Sequence, residues 1–400
     1  MSKLATSVLQ RPSSVRARWP ESLTPERLES MREPTPVLAC DPSAIEARYR
    51  HMRECLPGVD VFYAVKSNPD PGVLTTLSRV GAGFEIASFH ELELVEAAGG
   101  SAAGALYSNP VKPPHHITAS YRRGVRRFGF DGECELRKLA AHAPGSQVYV
   151  RLKVDDHHSL FPLSQKFGTS VDEGCRLLLL ARELGLDPYG VTFHVGSQCA
   201  DPNAWPRAIA QCGVLFGMLH RQGVTLQMLD IGGGFPGNYC DPIPEFSQIA
   251  RGISGALDRM SQRPPIVVAE PGRYLVAESG VMVSTVIGVD RRSDGLWCYL
   301  DVGGYNGLME TVQTGGRWKF PLRTSKDGDA PMVPFTVTGP TCDSSDTMFY
   351  DAHLPADLEV GDRVYIGSAG AYTTSYASSF NGFPPPRMLF TDGGNLMSEW

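Results

Sequence analysis

The 400-residue sequence has no C-x-x-C pair, no surplus of positive charge, and no apolar run near the roughly 18 residues a membrane span needs. Each absence excludes a class. Nine cysteines, an odd number scattered from Cys40 to Cys342, suit a reducing cytoplasm better than a disulfide framework or a structural zinc site. A formal net charge of -6 argues against a nucleic-acid-binding surface and mildly favours cationic small molecules. No short repeat or low-complexity tract divides the chain. The segment Met1–Glu21 carries Arg11, Arg16 and Arg18 without an apolar signal core, and reads as an irregular extension. What remains, 42% hydrophobic and 20% charged, is an ordinary globular composition with chain enough for two or three domains.

Short β-rich runs alternate with helix-compatible stretches. Candidate strands are Val61–Val65, Phe84–Ala87, Ala105–Ser108, Arg127–Phe130, Val148–Leu152, Val191–Val195, Leu226–Ile231 and Ile266–Ala269. Helical character falls between them at Pro71–Val80, His90–Ala98, Glu133–His142, Ser170–Leu184, Asn203–Gln222 and Pro244–Met260. Eight strands separated mainly by helices predict a (β/α)8 TIM-type barrel. An open doubly wound sheet would show a glycine-rich dinucleotide fingerprint after its first strand, and Val61–Pro69 has none. After about residue 275 the pattern turns to strands: Val281–Val289, Trp297–Val302, Met332–Thr338, Arg363–Ile366 and Met388–Phe390. Turn signals punctuate them at Asp294-Gly295, Asp327-Gly328 and Asp392-Gly393-Gly394. The division is therefore an extension at 1–35, a barrel at 36–275 and an all-β domain at 276–400. A strand from Thr35–Cys40 or earlier could join the last.

Barrel enzymes build their sites at the C-terminal strand ends, and four of these ends are chemically notable. Lys66 closes a buried apolar strand, where desolvation can drive its amine towards the neutral form that attacks carbonyls. The plainer alternative is a lysine reaching out to solvent. His194 ends Val191–Val195 and can stack on a flat ring, or be a satisfied core histidine. Gly232, Gly233 and Gly234 follow a strand and can admit a phosphate to their backbone amides, or form a tight turn. Glu270 can keep a ring nitrogen protonated while Arg273 grips phosphate, or the two can form a structural ion pair. An amine, a ring stacker, a phosphate cradle and a carboxylate together describe a site for pyridoxal phosphate.

The motifs FYAVKSNP, FHVGSQ, DIGGGFPG, EPGRYLV, GPTCDSSD and GAYT, in that order from about residue 36 to the C-terminus, closely resemble the fold type III pyridoxal-phosphate decarboxylases. Within these, the likeness is to ornithine/lysine decarboxylases of the eukaryotic-like kind. The resemblance implies an alanine-racemase-like barrel with a C-terminal β-domain, and a head-to-tail homodimer with active sites shared across its interface. It implies pyridoxal 5'-phosphate as cofactor, no metal, a basic amino acid as substrate and no nucleic-acid or membrane partner. Lys66 would be the Schiff-base lysine, His194 would stack on the ring and Glu270 would pair with its nitrogen. Ser197, Gly233, Gly234, Gly272, Arg273 and Tyr372 would hold the phosphate, with Glu85 and Arg151 near the cofactor. Cys342 and Asp343 would come from the partner subunit, the thiol managing reprotonation and the carboxylate binding the substrate's distal amine. Tyr305 would also meet the substrate, Phe380 would stand at the subunit junction, and Lys166 and Asp346 would form a salt bridge across it.

Two departures bear on the substrate. Glu85 stands where the family usually has aspartate. In Gly304–Gly316, where relatives often supply an acid to read the far amine, this chain has Gln313, Thr314 and two glycines, leaving Asp343 and Glu310 as candidates. Ornithine is the first choice, with lysine, arginine, diaminopimelate or a modified basic amino acid open. A racemase would need a tyrosine base opposite Lys66, and diaminopimelate decarboxylases typically carry Cys-Glu where this chain has Cys342-Asp343. A non-catalytic regulatory homologue would be expected to lose cofactor contacts that are kept here.

Overall fold

A computed structural model describes residues 19–326, 328, 330–392 and 395–397. Residues 1–18, with Arg11, Arg16 and Arg18, lie outside the described residues, as do Asp327, Gly393 and Gly394 of two expected turns. Eight parallel strands close into a barrel in the order Asp60–Ala64, Gly83–Ile86, Leu106–Tyr107, Arg127–Phe130, Gln147–Leu152, Asp187–Phe193, Met228–Asp230 and Ile266–Ala269. The last strand returns to the first, with Val268 opposite Asp60 and Ala269 opposite Val61. Alternate residues point inward and outward along each strand. Phe62, Leu106, Tyr149, Met228 and Val268 fill the barrel interior. Val61, Tyr63, Val148, Val150 and Val191 belong instead to the larger apolar core outside the interior cluster. Burial on both faces explains why these strands read as continuous apolar runs.

Besides short helices at Pro25–Leu28, Arg273–Val276 and Met309–Gln313, two longer helices were not anticipated. Pro42–Cys55 starts at Asp41, whose carboxylate accepts from the Ser43 N–H, and buries Ile45, Tyr49 and Met52 on one stripe. Pro114–Arg123 ends on Gly124 in the left-handed region.

The second sheet has nine strands among the described residues. Its backbone is the long strand Gly280–Arg292, which pairs with Gly295–Leu300, Arg363–Ile366 and Val37–Cys40. Val37–Cys40 is sandwiched between that strand, antiparallel, and Arg387–Phe390, parallel. The first strand among the described residues therefore belongs to the β-domain, and the chain crosses to the barrel only after Cys40, so the boundary drawn at residue 36 falls ahead of a strand of the second sheet. All four residues of this strand are buried, and truncating Leu38 to alanine would cost about 2–5 kcal/mol. The described part of the N-terminal extension packs Leu23, Leu28 and Met31 on the same sheet. Arg363 secures it by donating to the carbonyls of Leu28 and Met31. Among the described residues no helix is long and apolar enough to cross a membrane.

Candidate active site

The C-terminal ends of the barrel strands surround a cavity of about 640 Å³, within the usual range for small-molecule sites. Lys66, Glu85, Arg151, His194, Ser197, Glu270 and Tyr372 all line it. Lys66 sits on a single turn just past the first strand. The β-domain clamps this turn: Tyr372 N–H donates to the Ser67 carbonyl at 2.7 Å, and Asn68 Nδ2 to the Gly370 carbonyl at 2.9 Å. Tyr372 itself has φ +55°, a strained conformation for a non-glycine residue, held here by its surroundings.

The expectation of a neutral lysine is overturned. Burial presses the Lys66 amine downward, but the charge of Glu85, then Tyr372 and Glu270, wins and holds it above the usual lysine range. Strand register is the cause. Ala64 pairs with Glu85 on the neighbouring strand, which brings the carboxylate to 2.5 Å from Nζ.

His194 Nδ1 accepts from the Gly196 N–H at 3.0 Å, so the proton of the neutral ring sits on Nε2. Burial, then the charges of Arg151 and Lys66, holds its pKa well below the usual value and keeps it neutral. Glu270 is buried and accepts from Ser108 Oγ, which lies 2.8 Å from the Tyr149 hydroxyl. Burial, then Asp230 and Glu85, pushes the Glu270 carboxyl well above the usual range. Asp230, bonded to Thr192 Oγ1 and Gly232 N–H at 2.8 Å each, is raised to about 6, chiefly by burial. A cation placed beside Glu270 would draw it back to the charged form.

The glycine run fits a cradle that no side chain could share. A Cβ at Gly233 would stand 2.6 Å from the Glu270 carbonyl oxygen and 3.1 Å from His194 Nε2. Arg273 does not pair with Glu270, which disposes of that alternative. Its guanidinium meets Glu310 in two bonds of 2.5 and 2.8 Å, reaches Ser197 Oγ and the Tyr239 hydroxyl, and lies over the Tyr372 ring at 4.7 Å. Glu310 is therefore committed to a buried ion pair and is not free to read a substrate amine. An amine, a neutral flat imidazole, a buried acid and a bare-backbone cradle beside an arginine suit the carbonyl, ring, ring nitrogen and phosphate of pyridoxal phosphate.

Cys342, Asp343, Tyr305 and Phe380 do not line this cavity. They form a separate cluster on the β-domain. The Tyr305 hydroxyl donates to Asp343 at 3.0 Å and its ring packs on Phe380. The Cys342 thiol, exposed, reaches Asn381 Oδ1 at 3.3 Å. Asp346 is fully buried in its own chain, accepting from Gly304 N–H and Thr341. The expected bridge to Lys166 across a dimer thus has no exposed carboxylate to reach. Ser108, Asp230, Tyr149 and the Glu310 partnership escaped the sequence reading. Ser108 carried a signal as the last residue of a candidate strand, and Asp230 as the first residue of DIGGGFPG.

A family model described as pyridoxal-dependent decarboxylase, pyridoxal binding domain, matches residues 42–277. The chain belongs to the pyridoxal-dependent decarboxylases. Lysine/ornithine decarboxylase of Selenomonas ruminantium is 36% identical to it over 366 residues, covering 90% of this chain and 91% of that one. The crystal structure of lysine/ornithine decarboxylase from Vibrio vulnificus complexed with cadaverine superposes with a TM-score of 0.83 at 33% identity, over 92% and 97% of the two chains. Antizyme inhibitor 2 of Xenopus laevis is 36% identical over 84% of this chain and 76% of its own. The last is named as an inhibitor, so the side chains of the cavity matter as much as overall likeness. This decarboxylase keeps Lys66, His194, Glu270, Arg273 and Tyr372 around one space.

Proposed function

We propose that this basic amino-acid decarboxylase acts on the ornithine skeleton, with conversion of L-ornithine to putrescine as the parent reaction. The supporting observation is the cavity lined by Lys66, His194 and Glu270, with Gly233 close against the last two. Lys66 would hold the cofactor through its amine, His194 against the ring face and Glu270 at the ring nitrogen. Gly233, Gly234, Gly272, Ser197, Arg273 and Tyr372 would hold the phosphate. When bound, pyridoxal phosphate supplies the sink for the electron pair released as carbon dioxide leaves. Glu85 orients the Lys66 amine and balances its charge while the cofactor is absent. Neutral His194 adds no competing positive charge at the ring.

Completion of the site by a second copy of the chain is part of the same proposal. Cys342 is exposed and Asp343 half-buried on the β-domain, apart from their own chain's cavity, which suits a two-fold dimer exchanging the same patches. The partner subunit's Cys342 would deliver the proton to the carbon left by carbon dioxide, and the partner subunit's Asp343 would meet the distal nitrogen. Backbone and side-chain bonds from Ser345 and Tyr305 hold the Asp343 carboxyl below the usual range, ready as an acceptor. Carbon dioxide release should be measured over ornithine, lysine, arginine, diaminobutyrate and diaminopimelate. Ornithine-length substrates should lead. A clear preference for diaminopimelate would overturn the assignment.

A further inference from the structure

The wall of the cavity formed by the β-domain carries the wrong charge for a bare ammonium. Helix Met309–Gln313 ends at Thr314, where Gly315 and Gly316 turn left-handed with φ of +60° and +73°. Gly315 N–H donates to the Val312 carbonyl and Gly316 N–H to that of Thr311, so the chain doubles back. A Cβ at Gly316 would stand 2.4 Å from the Tyr350 ring, so this turn excludes a longer residue. Arg317 returns over the helix end with Nε donating to the Thr314 carbonyl at 3.0 Å. Among the described residues its guanidinium has no carboxylate partner. Gln313 and Arg317 both line the active-site cavity, and Glu310, the acid on this wall, is taken by Arg273.

Arg317 also lines a second cavity of about 560 Å³, walled in part by Lys319, His353 and Asp351. Arg317 is the residue common to the linings of the two spaces. A guanidinium with free N–H groups on the wall of the active-site cavity repels a free distal amine and suits a carboxylate or carbonyl oxygen.

We propose that the preferred substrate is a basic L-amino acid whose distal nitrogen is acylated by a group ending in a carboxylate, with Arg317 as the specificity-determining residue. The carboxylate of the acyl tail meets Arg317 on the cavity wall, and the amide N–H faces the partner subunit's Asp343. This rests on the decarboxylase reading given above, since loss of carbon dioxide from the α-carbon is unchanged and only the far end of the substrate differs.

The holoenzyme should be assayed for carbon dioxide release from L-ornithine, Nδ-acetyl-L-ornithine and Nδ-succinyl-L-ornithine. The succinyl compound should have the highest kcat/KM. Arg317→Ala should reduce the ratio of kcat/KM for succinyl over acetyl substrate by about 10- to 100-fold, the worth of one charge-assisted hydrogen bond, and mainly through KM. Arg317→Lys should restore part of the ratio. Titration calorimetry with the products N-succinylputrescine and N-acetylputrescine should give the same order of affinity. Preference for free ornithine over the succinyl compound, or a ratio unmoved by Arg317→Ala, would overturn this proposal while leaving the decarboxylase reading intact. Release from none of the three would overturn both.

Discussion

Replacing Glu310 by alanine removes one half of the ion pair behind the glycine cradle. The Arg273 and Glu310 side chains are 3% and 5% exposed and share two hydrogen bonds. Without the carboxylate, Arg273 keeps Ser197, the Tyr239 hydroxyl and the aromatic faces of Tyr372 and Trp318, but no countercharge. Stranding one member of a buried pair costs about 3–5 kcal/mol, because its desolvation is no longer offset. The cofactor-free variant should lose stability on that scale in urea titration. Bound pyridoxal phosphate brings two negative charges, and if they dock at Arg273 they replace the missing carboxylate. The loss should then be markedly smaller at saturating cofactor than without it. A loss below about 1 kcal/mol, or an equal loss in both states, would refute both the energetic reading of the pair and the assignment of Arg273 to the phosphate.

Glu91 should impose a stability slope of its own. Burial, then the charge of Glu85, raises its carboxyl to about 7 from 4.5, so the folded chain holds a proton there that the unfolded chain releases. Stability should therefore fall as pH rises from about 4.5 to 7, by at most about 3 kcal/mol, and Glu91→Gln should remove that slope. Identical pH profiles for variant and parent in urea unfolding would contradict this. Lys66→Ala and Cys342→Ala should each be inactive alone, yet regain roughly a quarter of parental activity when their subunits exchange. No recovery after exchange verified by co-purification would assign both residues to one chain's site.

The barrel was readable because its strands are buried on both faces. Val148–Leu152 and Ile266–Ala269 stand out as β-branched runs between helical stretches. Pro42–Cys55 escaped attention because arginines and glutamates crowd its exposed face, although Ile45, Tyr49 and Met52 carry the helical spacing. Strand Thr347–Pro355 was missed for a related reason, with Tyr350 and Asp351 exposed in its middle. At the site, Lys66, His194 and Glu270 were visible as single polar residues ending apolar runs. What they touch was not. Glu85 governs the charge of Lys66 through strand register, and Glu310 meets Arg273 from 37 residues away after a π-helical turn, Gly304–Leu308. Such partnerships exist only once the barrel closes and the second sheet docks on it.

The most direct test of the account is the position of the cofactor itself. Cofactor-saturated protein should be reduced with borohydride, digested and mapped by mass spectrometry, with Lys66→Ala treated in parallel. The account predicts one reduced pyridoxyl adduct, on Lys66, and none in the variant. An adduct on another lysine, or none on saturated parental protein, would contradict it.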